Sequence, residues 1–281
     1  MVEKVYPMTI EGKEKLEQEL KELRHQYFNA RTRKEKLQFQ KKDKKLRQEI
    51  AKLLINDGWD NHTAEQLVDS NPYDQNIASS FFDSEWMFGV TDGFEVVIGN
   101  PPYVKEYTNS SIFQPLKESP YYQGKMDYWY FFGCEGIDLL KSTGIVAYIA
   151  PNNWITNAGA SILRNKVLTE TVIRTYIDFG NYRVFDTAAI QTMVYILKKS
   201  QEMINSYKLL YSKLNVENIS ESVLYDFLYN SKPSDIYEKR LIEFCPTMYF
   251  DKYINFSNDT SMSVLNSIKR AKSTYLSNKE I

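Results

Sequence analysis

The sequence predicts an α/β chain in which an α-helical hairpin precedes a largely parallel sheet. Three observations predict it. Leucine and isoleucine recur at steps of three and four within residues 11–56, the spacing that gathers one apolar stripe on a helix. From Phe94 onward, short β-branched runs alternate with helical stretches, the order that builds a sheet with helical crossovers. A chain of 281 residues, 43% of them hydrophobic, can bury one or two cores.

Leu16, Leu20, Leu23 and Tyr27 place a first helix at about 11–29, and Leu46, Ile50, Leu53 and Leu54 place a second at about 33–56. Between them Thr32-x-x-Glu35 has the form of a capping box, so two helices are expected rather than one rod, turning at Asn29-Ala30-Arg31-Thr32. Asn56-Asp57-Gly58 supplies the stop, which makes residues 1–58 a helical hairpin. Residues 59–93, rich in Asp, Asn, Ser and aromatics without a sustained period, read as a mostly irregular linker packed on the next domain. That domain, 94–200, is expected to run strand 94–99, helix 126–141, strand 144–150, helix 158–168, then strands 172–178 and 191–198. Residues 201–281 carry many tyrosines and several amphipathic fragments, and read as a C-terminal α/β extension without a legible role.

Composition narrows the classes. No apolar run reaches the ~18 residues of a membrane span, and Met1-Val2-Glu3-Lys4 does not open a signal peptide; a cytoplasmic protein is expected. Cys134 and Cys245, with only His25 and His62, give neither metal-ligand spacing nor a disulfide framework. No metal is expected, and both cysteines are expected to be buried. The net charge of −1 says nothing for or against a polyanion. Its distribution says more: nine Lys or Arg stand against three acids from Arg31 to Ile50. Contact with DNA phosphates and a merely solvated helix face are both open readings.

The chemistry concentrates at Val96-Val97-Ile98-Gly99-Asn100-Pro101-Pro102-Tyr103, an apolar strand that stops at an amide, two prolines and an aromatic ring. An exocyclic amine such as adenine N6 is a weak nucleophile because its lone pair is delocalised into the ring. Two acceptors aimed at its two N–H bonds favour the pyramidal nitrogen of the transition state over the planar ground state. Asn100 offers a side-chain carbonyl for one, and Pro101 a backbone carbonyl for the other. The consecutive prolines restrict the local backbone and hold those acceptors in place. Tyr103 can lie against the base, a contact of roughly 1–3 kcal/mol.

Residues 71–103 (Asn-Pro-Tyr-Asp-Gln-Asn, then Phe-Phe-Asp-Ser-Glu-Trp-Met-Phe-Gly, then the run into Asn100-Pro101-Pro102-Tyr103) resemble large adenine-specific DNA methyltransferases of the Eco57I type, found in type IIG restriction-modification enzymes and phage-defence systems. Later segments fit in order: Met126-Asp127-Tyr128, Gly144 to Ile149 leading into Pro151-Asn152-Asn153-Trp154, Ile177-Asp178-Phe179-Gly180, and Arg183 to Ala188 before Gln191. The helices between Tyr27 and Trp59 are similar to an insertion these proteins carry, so the likeness covers about residues 16–200. It implies a partial Rossmann-like methyltransferase sheet, with Asn100, Pro101, Pro102 and Tyr103 as the catalytic tetrad. It also implies Phe185 as a second aromatic against a flipped base, S-adenosylmethionine as cofactor and double-stranded DNA as substrate. Read without that likeness, Phe185 is a core aromatic.

The resemblance also implies a glycine-bearing cofactor loop ahead of the tetrad, and no such pattern occurs in the first 99 residues. Gly133-x-x-Gly136 lies within a helical run instead. The cofactor-binding residues are therefore unassigned, and the chain reads as an internal piece of a longer enzyme. Little activity is expected of it alone, with a second polypeptide supplying the cofactor loop and a target-recognition domain. Other readings use the same tetrapeptide on protein glutamine or RNA guanine N2, or make the chain a non-catalytic remnant or DNA-binding module. Residues 3–20 also resemble the opening of Gre-type transcript-cleavage factors, but the turn at Asn29–Thr32 is basic where that family needs acids to hold Mg²⁺.

Overall fold

The computed structural model describes residues 11–69, 71, 73–74, 82, 84–88, 90–185, 190–230 and 234–256. Residues 3–10 of the transcript-factor-like opening, much of the Asn71–Gly89 stretch and Asp186-Thr187-Ala188 lie outside them. The chain divides into two compact units, Met1–Gly93 and Phe94–Ile281.

In the first unit α1 (Glu11–Asn29) and α2 (Arg33–Asn56) form the hairpin with the expected boundaries. The capping box closes reciprocally: the Glu35 amide donates to Thr32 Oγ1 and the Thr32 amide to Glu35 Oε2, each at 3.2 Å. At the other end Gly58 adopts φ +92°, a left-handed conformation that glycine enters without a Cβ clash. Leu20, Leu23, Leu46, Ile50 and Leu54 fill the seam. Inside it Asp43 is fully buried and accepts from Arg24 Nε at 3.0 Å and Arg47 Nε at 2.7 Å. Arg47, counted in the basic run, is thus a structural cation that ties α2 to α1 through the shared carboxylate.

Two helices occupy the stretch expected to be irregular: α3 (Asn61–Asp69) and α4 (Ser84–Phe88). Nine and five residues are too few to repeat a 3.6-residue pattern, which is why no period shows. α3 starts at Asp60, whose carboxylate accepts from the Thr63 amide at 3.1 Å, and it lays Ala64 and Leu67 on the hairpin core.

The second unit is a six-stranded sheet of order β1-β2-β4-β3-β5-β6. Its strands are β1 (Phe94–Gly99), β2 (Leu140–Pro151), β3 (Thr171–Asp178), β4 (Thr192–Lys199), β5 (Tyr207–Leu214) and β6 (Tyr237–Phe244). Only β1–β2 and β3–β5 are parallel; β4 runs antiparallel to both neighbours, and β6 to β5. The sheet is therefore mixed, not largely parallel. A parallel return from β3 needs a crossover, usually a helix; the connection 179–191 has no helix among its described residues, and β4 returns antiparallel between β2 and β3.

The helix expected at 126–141 is shorter, α5 (Trp129–Asp138), because Leu140 already begins β2 and buries its side chain in the core. α5 and α6 (Ser161–Glu170) cover one sheet face over Val146, Tyr148, Tyr176, Tyr195 and Leu197. α7 (Glu221–Tyr229) covers part of the other, where Phe227 packs with Phe179, Leu214 and Tyr237. Gly133 and Gly136 let α5 lie close to its neighbours: an added Cβ would meet Leu163 Cδ1 at 2.7 Å and Tyr148 Oη at 2.6 Å. Cys134 is buried as expected, whereas Cys245 is only half-buried.

Candidate active site

Asn100 follows the last residue of β1, where the strand meets the chain's two consecutive prolines and must leave the sheet. In the parallel register Gly99 faces Tyr148 of β2. A Cβ on Gly99 would meet the Tyr148 ring at 3.4 Å, an ordinary van der Waals contact. Beyond it Asn100 is exposed, Pro101 buried, Pro102 exposed and Tyr103 half-buried.

Tyr103 folds back on the turn. Its hydroxyl lies 2.6 Å from Asn100 Oδ1 and 3.0 Å from the Ile149 carbonyl of β2, and its single proton is shared between these acceptors. The phenol is pushed up to about 12 by burial, so it stays a donor at physiological pH. One lone pair of Oδ1 is thereby engaged and the second remains available.

The segment after the tetrad is strapped to residues 126–128. Lys105 forms an isolated antiparallel bridge with Asp127, the Tyr128 amide donates to the Val104 carbonyl at 2.7 Å, and the Glu106 amide to the Met126 carbonyl at 2.9 Å. Glu106 in turn accepts from Tyr122 Oη at 2.6 Å and the Met126 amide at 3.2 Å; these bonds, the tyrosine's foremost, hold its carboxyl below the usual range. Asp127 is buried, which pushes its carboxyl up, with Lys105 opposing. At the ends of the next strands Asn152 Nδ2 and the Gly180 amide both donate to Asp178 Oδ1, at 3.0 and 2.9 Å.

Phe185 is brought beside Tyr103, the two ring centroids 6.3 Å apart and tilted by 58°. It is half-buried, not a sealed core residue. A base held between two parallel rings needs about 6.8 Å, twice the ~3.4 Å stacking rise of nucleic acid, so these tilted rings, closer than that, must rotate and part to admit one. Asp127 and Ile149 lie in segments visible in the sequence, but their pairing with Lys105 and Tyr103 was not, because strand register and a long-range bridge bring them to the site. Asp178, a lone acid ending an apolar run, was visible in Ile177-Asp178-Phe179-Gly180 without an assignable role.

Among the described residues no cluster of His, Cys, Asp or Glu could hold a metal ion. The glycines expected for a cofactor cradle are not supplied by α5 either, since both face neighbouring side chains at packing distance.

The Eco57I restriction-modification methylase model matches residues 11–185. The type II restriction enzyme and methyltransferase RM.Eco57I of Escherichia coli is 29% identical over 113 residues, 38% of this chain and 11% of that protein. Aligned segments thus span about a tenth of the curated relatives' length. Among solved structures, the type IIG restriction endonuclease BpuSI is 16% identical with a TM-score of 0.36, over 53% of this chain and 19% of that one. A chain from a type I restriction-modification complex is 11% identical with a TM-score of 0.41, over 80% and 56%. With the family model matching more than half of its residues, the chain belongs to the Eco57I restriction-modification methylases.

Proposed function

We propose that this chain carries the amine-gripping part of a DNA methyltransferase that modifies adenine N6 with S-adenosylmethionine as donor, within a restriction-modification or phage-defence system. The observation that carries the reading is the exposed Asn100 at the carboxyl end of β1, with its carbonyl oxygen oriented by Tyr103. In open α/β sheets ligands collect beyond the strand ends, and an adenine rotated out of a duplex is the substrate such a turn would meet. Asn100 Oδ1 accepts one N6 hydrogen with its second lone pair, and the Pro101 carbonyl the other. Together they favour the pyramidal nitrogen whose lone pair attacks. Tyr103 then serves twice, its hydroxyl as a positioning group and its ring as a stacking face, with Phe185 closing from the other side after rotation.

Gly133 and Gly136 pack against neighbouring side chains and offer no cradle for the donor. A second polypeptide supplying that cradle is consistent with β1: it ends the sheet, and its Val96 and Ile98 are 59% and 79% exposed. An edge strand with bare apolar side chains is a template for further pairing.

The test is methylation by an assembly reconstituted from this chain and its genetic neighbours, offered duplex DNA, RNA and protein acceptors. Asn100→Ala is expected to lower the rate on adenine-containing DNA by about 10²–10³-fold, the usual cost of one preorganised polar group at a reacting centre. Unchanged turnover would remove Asn100 from the mechanism, and label appearing in RNA or protein instead would replace the substrate class.

A further inference from the structure

Unit Met1–Gly93 holds no part of the tetrad, yet α2 carries a surface feature that the site does not use. Lys34, Gln38, Lys41, Lys45, Gln48 and Lys52 recur at steps of four and three along α2. At about 100° per residue they form one stripe, and at 1.5 Å per residue it is about 27 Å long. Lys34, Lys41, Lys45 and Lys52 are all exposed. None of the four takes part in an ion pair among the described residues.

The bland account is a solvated helix face, and such faces normally alternate sign. The partner helix shows the usual pattern, with Glu17, Glu19 and Glu22 interleaved with Lys15 and Lys21. The α2 stripe instead spaces its cations with amides. Of the carboxylates of α2, Glu35 closes the capping box and Asp43 is buried between two arginines, whereas Glu49 lies next to Lys45 and Lys52, and Glu65 and Asp69 of α3 share a cleft with Lys52; none of these three forms an ion pair with a stripe lysine among the described residues. A helix face of exposed ammonium groups spaced over about 27 Å has the charge and length to follow a polyphosphate backbone, and phosphate contacts carry no sequence information of their own.

We propose that the Lys34–Lys52 stripe of α2 is a sequence-independent contact surface for the phosphates of duplex DNA. The choice of duplex as the polyanion rests on the function proposed above, while the stripe itself stands on geometry and charge.

The experiment measures binding of the full chain to a fluorescent 30-base-pair duplex by anisotropy between 50 and 200 mM KCl. The Lys34→Gln/Lys41→Gln/Lys45→Gln/Lys52→Gln variant keeps helix propensity, since lysine and glutamine are close on that scale; helical circular dichroism checks its fold. At about 0.9 counterion-slope units per phosphate contact, four lost contacts flatten log K against log salt by about 3.6. Over that salt range the wild-type affinity should then fall about 10²-fold further than the variant's. Arg33→Gln/Lys42→Gln/Lys44→Gln, which removes three cations flanking the stripe, is expected to change the slope far less. If the quadruple variant does not fold, the pairs Lys34/Lys45 and Lys41/Lys52 replace it, each expected to remove half the effect. Equal losses from stripe and flank variants, no salt-dependent binding by wild type, or tighter binding of polyglutamate than of duplex each overturn the proposal. Asn100→Ala is run in parallel in this assay and in the methylation assay: it should leave the slope intact and lower methyl transfer, so a failed stripe shows in the slopes and a failed methylation reading in the turnover.

Discussion

In the proposed reaction Tyr103 serves recognition and preorganisation together. Its hydroxyl lies within hydrogen-bond distance of both Asn100 Oδ1 and the Ile149 carbonyl of β2, which ties the proposed acceptor to a neighbouring strand. Tyr103→Phe keeps the ring and loses that tie; in the reconstituted assembly kcat is expected to drop about fivefold, the equivalent of one neutral hydrogen bond of roughly 1 kcal/mol, with KM for DNA little changed. A KM effect as large as the kcat effect would make the hydroxyl a binding group rather than a positioning one. Asp127 gives a pH-linked expectation. Burial raises its carboxyl above the ordinary value, so as pH climbs past the unfolded-state value the unfolded chain releases this proton before the folded one does, and stability falls until the folded value is passed. Asp127→Asn removes that loss. Urea midpoints of variant and wild type should diverge in the variant's favour between pH 4 and pH 7, and a variant that is relatively weaker at pH 7 would mean that Lys105 outweighs desolvation.

Among elements, the contact of α5 with the sheet is the most sharply specified. A methyl group on Gly136 would lie 2.6 Å from Tyr148 Oη, and overpacking of that kind costs about 1–3 kcal/mol, against up to about 1 kcal/mol gained in helix propensity. Gly136→Ala should therefore destabilise the chain by about 1–2 kcal/mol, and adding Tyr148→Phe, which deletes the clashing oxygen, should return most of it. Additive effects in that double-mutant cycle would show that the two groups do not meet. The same glycine pair illustrates what sequence can say of an element. Its place inside a helix was legible, and so was its unsuitability as a phosphate-type loop; its purpose was not, because Leu163 and Tyr148 come from other elements. The hairpin was readable to its terminal residues, since Thr32, Glu35 and Gly58 act within one turn of their own positions. α3 and α4 were missed because so short a helix leaves no repeat to detect, and Asp60, the cap that starts α3, acts alone.

At the scale of the molecule, residues 201–256 are not an appendage. β5 pairs with β3, Tyr211 stacks on Tyr176 with ring planes 10° apart, and Leu209, Phe244, Ile254 and Phe256 join the same core as α5 and α6. A chain cut after Ser200 would bare that apolar face; it is expected to lose the cooperative thermal transition of the full chain, followed by near-ultraviolet circular dichroism. A truncated chain with an equally sharp transition would show that the first four strands suffice. What the sequence determined by itself is what depends on neighbours along the chain: the helical hairpin and its caps, the strand ending at Asn100, and the tetrapeptide whose amide and prolines suit an aromatic amine. Tertiary structure alone decided the insertion of β4 antiparallel between β2 and β3, the pairing of Arg24 with the buried Asp43, the tie from Tyr103 to β2 and the meeting of Tyr103 with Phe185. Those features join residues up to 82 positions apart, and pairing at that separation is set by sheet register and packing volume, which no local pattern encodes.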